Sequence, residues 1–351
     1  MGHPYFHKTE YDARYYEEYL KDRLPEHILD MHSHMNLPEH VRNIPPARIA
    51  GDWALQAGFQ MSAEEAHIYA KTLFDSVEYS FVGFPFPIRE ADISANNQYI
   101  SRCIASREIT AGLMAVTPEM TAAEVKQQLQ AGCFAGIKPS PDFVGSQKGA
   151  QIKISNFLPS EQLQVVWETG KCVLLHLPRA DRLADESNVK ELQGIVSDFP
   201  GIKLIIAHLG RCYNPYYWDR ATELLGSSLD KFWFDTAGVM NPQVLSSAFS
   251  KIDPSRLMFG LDLPIFLWHG TRRWSEKGYR NLCREALPWK PEIDPPEKQQ
   301  EYTFFVYEQI RNLLDTMQAC GWSTWQKHGF FYSNAADFFH VCSAAGGKIC
   351  N

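Results

Sequence analysis

Ile28-Leu29-Asp30-Met31-His32-Ser33-His34 is a run of strand length, mostly apolar, that ends on two histidines two residues apart. Seven more such runs follow: 78–84 (EYSFVGF), 109–116 (ITAGLMAV), 133–139 (CFAGIKP), 172–178 (CVLLHLP), 203–210 (KLIIAHLG), 232–238 (FWFDTAG) and 257–264 (LMFGLDLP). Between most of them lie segments of helical period, among them 91–106, 121–131 and 160–170. Runs that are apolar on both faces and alternate with helices are strands of a parallel sheet covered by helices. Eight such units in one chain predict an α/β fold closed into a (β/α)8 TIM barrel, in preference to an open doubly wound sheet. No G-x-G-x-x-G follows the first run, which argues against a dinucleotide-binding sheet.

Outside this rhythm, residues 8–23 predict an N-terminal helix packed on the body. The stretches 35–76 and 265–300 are too long for simple strand-to-helix loops. They follow the first and eighth strands, so they are expected as lid-like insertions walling the face on which barrel enzymes build their sites. Nothing marks a second domain, and residues 1–351 read as one barrel domain. A net charge of -7, with 34 basic against 41 acidic residues and no basic block, argues against nucleic acid as a partner. The absence of any apolar run of membrane-spanning length predicts no membrane contact and a cytoplasmic protein. The eight cysteines show neither a C-x-x-C pair nor metal-type spacing, and are read as reduced core thiols rather than a disulfide framework.

In a strand, residues two apart share a face, so His32 and His34 can turn toward one ion. Other metal-competent side chains end other predicted strands: His176 in VLLHLPR, His208 in LIIAHLGR, Asp262 in LMFGLDLP. Each stands near the end of an apolar run, where an unpaired polar group costs on the order of a few kcal/mol to bury. Metal coordination would offset that cost. Five residues of this kind at four strand ends predict convergence on one face of the barrel.

These residues, with Gly136-Ile137-Lys138, Ala207-His208-Leu209-Gly210, Phe234-Asp235-Thr236-Ala237-Gly238, Phe259-Gly260-Leu261-Asp262-Leu263-Pro264 and Asn334-Ala335, resemble the amidohydrolase superfamily over about residues 27–340. The resemblance is to the amidohydrolase-related, aminocarboxymuconate-semialdehyde-decarboxylase-like branch. It implies that His32, His34, His176 and Asp262 hold a divalent metal, with His208 beside it as acid, base or water-orienting group. Leu261 stands where the branch usually has Ser, a change expected to alter the surroundings of the ligand and not the ligand itself. Zinc is the default ion, manganese or iron being compatible, and one metal is expected. Lys138 matches the position of a bridging carbamylated lysine in binuclear members; a lysine reaching substrate or solvent is the favoured reading, and a binuclear site stays open.

Arg179 and Arg211 each stand three residues after a site histidine, and Arg89 follows the second strand. Such guanidinium groups grip carboxylates bidentately, which predicts a small anionic substrate. Trp268, Trp274, Tyr213, Tyr216, Tyr217 and Trp218 are candidates to wall a flat ligand or, for most of them, to pack. The reaction expected first is hydrolysis of an amide, lactone or ester in a carboxylate-bearing molecule. In it Asp262 would move the proton and His208 would stabilise the oxyanion. The alternative is non-oxidative decarboxylation of a small unsaturated or aromatic acid at the same ion; isomerisation and a non-catalytic metal-binding barrel rank lower. Barrels of this group often pair, so a homodimer is compatible with the chain.

Overall fold

A computed structural model describes residues 2–41, 43–144, 151–285, 287 and 294–340. Eight strands run parallel in chain order: β1 (His27–His34), β2 (Glu78–Phe84), β3 (Ala111–Val116), β4 (Gly136–Pro139), β5 (Cys172–Leu175), β6 (Lys203–Ile206), β7 (Trp233–Asp235) and β8 (Leu257–Met258). The last strand meets the first: the Met31 amide donates to the Phe259 carbonyl at 3.0 Å, and Ser33 bridges Leu263 in parallel register. The sheet is thereby wrapped into the expected α/β TIM barrel. All eight expected strands are present, but the later ones end early. Residues 176–178, 207–210, 236–238 and 259–264 leave the ladder, and these are the segments that carry the polar side chains.

Helix α1 (Glu10–Tyr19) lies within the expected 8–23, and eight helices cross between or after the strands: α2 (Ala63–Leu73), α3 (Ile93–Ala105), α4 (Ala122–Ala131), α5 (Ser160–Glu168), α6 (Glu186–Asp198), α7 (Pro215–Leu225), α8 (Pro242–Lys251) and α9 (Phe305–Ala319). Their starts are written in the sequence: Thr121 with Glu124 closes a capping box on α4, and Asp185 caps α6. The stretch 35–76 is only partly an insertion, because α2 is the ordinary first crossover helix and the added segment stops before it. The stretch 265–300 contains an antiparallel hairpin, β9 (Gly270–Ser275) and β10 (Gly278–Cys283). Residues 286 and 288–293 of it lie outside the described residues, as do Cys342 and Cys350. Among the described residues no helix is long and apolar enough to cross a membrane.

Two apolar bodies result. A large cluster fills the layer between strands and helices, with Ile28, Phe81, Val173, Leu204, Phe234 and Leu257 facing outward into it. A smaller one fills the barrel itself, with Leu29, Met31, Val82, Leu113, Leu174 and Ile205 facing inward, and Ala335 and Ala336 added from beyond α9. Asn334 fastens that plug by donating to the carbonyls of Pro254 and Leu257 at 2.7 and 2.8 Å.

Strand alternation carries Lys138, His176, Asp235 and Asp262 inward on the same phase as the barrel core. It does not do so for β1. Leu29 and Met31 face inward, so an unbroken strand would send His32 and His34 outward. The pairing of β1 with β2 shifts by one residue between Asp30 and Ser33, and this bulge reverses the phase. His208 has the same difficulty after inward-facing Ile205 and Ala207. Its left-handed backbone, continued through Leu209 and Gly210, swings it back toward the axis (φ 58°, 46° and 65°).

Candidate metal centre and active-site cavity

The side chains brought to the C-terminal mouth form a buried cluster. One ligand atom each from His32, His208 and Asp262 lies within 4.8 Å of the other two. Asp262 Oδ1 stands 3.1 Å from His34 Nε2 and 3.5 Å from His32 Nε2. The approach to His34 lacks hydrogen-bond alignment, so this buried oxygen has no hydrogen-bond partner among the described residues. The His176 ring meets the His208 ring edge-on at 5.3 Å. All five expected ligands and neighbours therefore converge, with His208 closer to the tight group than the resemblance implied and His176 at its edge. An unsatisfied buried carboxylate oxygen facing imidazole nitrogens is a candidate donor set for a divalent cation.

Asp235 organises this cluster and was not singled out in the sequence as a site residue. One carboxylate oxygen faces His32 Nδ1 at 3.0 Å; the other accepts the backbone amides of His208 and Ala237, each at 3.0 Å. With Nδ1 engaged, His32 presents Nε2 to the cavity. His208 is oriented in the same way by the Ala237 carbonyl, 2.9 Å from its Nδ1, and His34 by the Pro85 carbonyl at 3.4 Å. The available signal was an aspartate ending the apolar run FWFD. Asp30, completely buried, accepts from the amides of His32 and Leu261 and from the Tyr79 hydroxyl, tying the two ends of the barrel seam together. Burial raises its pKa to about 7 against those hydrogen bonds. Leu261 thus contributes its amide to the frame, and its side chain is buried.

Electrostatics follow from burial. Loss of solvent pushes the His34 and His208 imidazoles down to about 4 and His176 well below its usual value, so all three are neutral at pH 7 and free to bind a cation. Burial alone would raise Asp262 and Asp235, but neighbouring histidines outweigh it and hold both carboxyls below their ordinary range. Lys138, with its ammonium 5.5 Å from the Phe84 ring centroid, is brought down to about 8 by burial against the pull of Asp235 and Asp262.

The cluster opens into a cavity of about 300 Å3, also lined by Trp53, Phe86, Lys138, Arg182, Arg211 and Tyr213. Of the expected substrate contacts, Arg211 and Lys138 are here. Arg179, Arg89 and Trp268 are not, and those three expectations are corrected. Arg179 Nε faces Asp185 at 2.9 Å, on the cap of α6. Arg89 shares Asp142 with Arg48, at 3.3 and 2.7 Å. Trp268 is completely buried, its ring 4.5 Å from that of Phe305. Arg182 stands where Arg179 was expected. Arg179 and Arg182 both have left-handed backbone (φ 66° and 52°) in the turn that follows β5, and it is Arg182 that lines the cavity. Of the aromatic candidates, Tyr213 lines the cavity, while Trp218 is buried and donates to Ser247 at 3.0 Å.

The profile of the amidohydrolase family matches residues 30–341. The chain belongs to the amidohydrolase family. Homologues in this family are enzymes. A 6-methylsalicylic acid decarboxylase of Penicillium expansum is 30% identical over 125 residues, which is 32% of this chain and 34% of that enzyme. The chain thus matches about a third of that relative's length. Among solved structures, a dihydroxybenzoic acid decarboxylase from Polaromonas sp. JS666, with bound manganese and the inhibitor 2-nitroresorcinol, superposes with a TM-score of 0.53 at 14% identity, covering 90% of this chain and 98% of that one. A 4-oxalomesaconate hydratase from Rhodopseudomonas palustris gives 0.54 at 16% identity, covering 90% and 96%. These likenesses establish the barrel.

Proposed function

We propose that this amidohydrolase is a metal-dependent, non-oxidative decarboxylase of a small aromatic acid. The observation that carries the reading is the joining, in one cavity, of a buried His/Asp donor set, aromatic walls (Trp53, Phe86) and two guanidinium groups, Arg182 and Arg211, that meet no carboxylate among the described residues. The decarboxylase names of the sequence relative and of several structural neighbours favour this chemistry over hydrolysis, the reaction expected first from the sequence.

His32, His34, His208 and Asp262 would hold one divalent cation, with His176 at the margin. Their mixed nitrogen and oxygen donors suit manganese and zinc alike, and the manganese bound in two structural neighbours favours trying manganese first. A bound cation there would polarise substrate oxygens and fix the carboxylate that departs. In the reaction the ring carbon–carboxylate bond breaks, its electron pair stays on the ring carbon, carbon dioxide leaves, and a proton takes the vacated position. Asp262 is held ionised by the neighbouring histidines, so it first accepts a proton from a substrate hydroxyl or a water and then hands it to carbon. His208, neutral and held by Ala237 through Nδ1, keeps Nε2 turned to the cation, while Arg211 fixes the substrate's negative charge. Burial of the cluster keeps bulk water from competing for that proton.

The test is incubation of manganese-loaded and zinc-loaded protein with hydroxybenzoic acids and with aryl esters and lactones of matching size. Carbon dioxide release from the acids, abolished in Asp262→Asn, is expected. Ester or lactone cleavage without any carbon dioxide would return the assignment to hydrolysis.

A further inference from the structure

Arg182 and Arg211 stand on a wall between two chambers. On one side is the cavity of the His/Asp cluster; on the other is a second cavity of about 320 Å3, bounded by Tyr217, Lys277 and Tyr279 near the tip of the β9–β10 hairpin. Arg182, Arg211 and Tyr213 line both. The arginines elsewhere around the mouth have carboxylate partners: Arg48 with Asp52 and Asp142, Arg89 with Asp142, Arg179 with Asp185. Among the described residues, Arg182 and Arg211 have none within 4.0 Å. Asp181 also lines the outer cavity, but it is exposed and pairs with neither.

The groups that do meet these guanidinium ions are neutral. Arg182 Nη1 donates to the Leu177 carbonyl at 2.9 Å, and Arg211 is within hydrogen-bonding reach of the Tyr213 and Tyr279 hydroxyls. A further guanidinium, the buried Arg272, lies against the rings of Tyr213 and Tyr279 at 4.6 and 4.4 Å and adds positive charge behind them. Burial together with repulsion from Arg211 brings Arg182 down to about 10. Cations held in a low-dielectric wall without a counter-ion are a standing cost that an arriving anion removes. The paired planar groups are also the shape that grips an oxyanion with two hydrogen bonds.

We infer that this wall is a second anion subsite, and that the substrate carries two negative groups on one scaffold: one at the His/Asp cluster, the other, a carboxylate, between Arg182 and Arg211. The inner half of this assignment rests on the proposed decarboxylase reading; the outer half rests on the wall alone. Charge supports the division. One departing carboxylate matches the cation site and Lys138, which leaves the wall uncompensated unless the ligand reaches it.

Calorimetric titration of manganese-loaded protein with benzoate and with benzene-1,3- and 1,4-dicarboxylate tests this without turnover. The better-spaced dicarboxylate is expected to bind roughly 10- to 100-fold more tightly than benzoate, as charge-assisted hydrogen bonds allow. In Arg182→Gln the ratio falls to near one, and in Arg182→Lys part of it returns. A wild-type ratio near one for both dicarboxylates overturns the proposal and needs no variant. Carbon dioxide release is measured separately, with 2-hydroxybenzoate and with the 2-hydroxy forms of the two dicarboxylates. Tight dicarboxylate binding with no carbon dioxide leaves the subsite standing and removes the decarboxylase reading. Release at equal kcat/KM from mono- and dicarboxylates removes the subsite and leaves the reaction.

Discussion

At the scale of single residues, Asp235 has the widest influence on the site. One carboxylate sets the direction of the His32 ring and pins the backbone on either side of the site, at His208 and Ala237. Asp235→Asn keeps the volume but places an amide where a charge-assisted acceptor stood. Partners of this kind are worth roughly 10- to 100-fold in metal affinity. A manganese titration of Asp235→Asn is expected to show a loss of that size, and unchanged affinity would remove the organising role given to this residue. The sequence displayed Asp235 as openly as it displayed His32, in the run FWFDTAG. Its task was hidden because it reaches across the barrel to a strand 203 positions away. Arg182 was hidden differently, since two arginines three residues apart offer the same chemistry and only the turn between them decides which one enters the cavity.

At the scale of elements, the turn after β6 is where backbone conformation and chemistry coincide. Gly210 has φ 65°, and a Cβ there would stand 2.4 Å from Leu183 Cβ. Gly210→Ala therefore meets both backbone strain and a side chain with no room to retreat. A loss of about 1–3 kcal/mol, read by denaturant unfolding, is expected, together with weaker metal binding as His208 is displaced. An unaltered unfolding midpoint would show that the turn can relax. A second element-scale device lies away from the cavity. His269, completely buried, joins α1 to the strand that starts the hairpin: Nε2 is 2.9 Å from Asp12 and Nδ1 is 2.7 Å from Glu285, with the His7 ring tilted against it at 4.7 Å. Burial opposes protonation, but the two carboxylates outweigh it and raise the imidazole above its ordinary pKa. Its stabilising contribution is therefore complete below about pH 6.5 and is lost as pH rises through the raised value. The melting-temperature difference between wild type and His269→Gln is expected to be largest in the acid range and to shrink on going alkaline; the reverse trend would mean that the ring is neutral.

At the scale of the whole molecule, the site histidines act with the opposite sign. His34, His176 and His208 resist protonation in the fold, whereas the unfolded chain takes up those protons below about pH 6.5. The unfolded state then binds more protons, so these three groups make stability rise with pH between about 4 and 6.5 and fall on acidification through that range. A bound cation should deepen this dependence, because it too requires neutral imidazoles. Removing the metal with a chelator is expected to abolish turnover and lower the melting temperature while leaving cooperative unfolding intact. The barrel interior is closed by Leu29, Leu113, Leu174 and Ile205 without help from the ion. Loss of cooperativity on chelation would instead make the metal part of the core.

The sequence alone determined the eight-fold alternation, the family, and which imidazoles and carboxylate are chemically fit for an ion. Those are matters of local periodicity and residue type, and they survive without coordinates. Only the tertiary structure decided which way those side chains turn. Period-two reasoning from Leu29 and Met31 sends His32 outward, and from Ala207 it does the same to His208. A bulge paired against β2 reverses the first, and a left-handed turn packed on Leu183 reverses the second. The same holds for the cavity wall, where Arg179 found a carboxylate in Asp185 while Arg182 and Arg211 found none among the described residues. Which arginine is left charged and unpaired depends on distances between segments far apart in the chain, and those exist only once the barrel has closed.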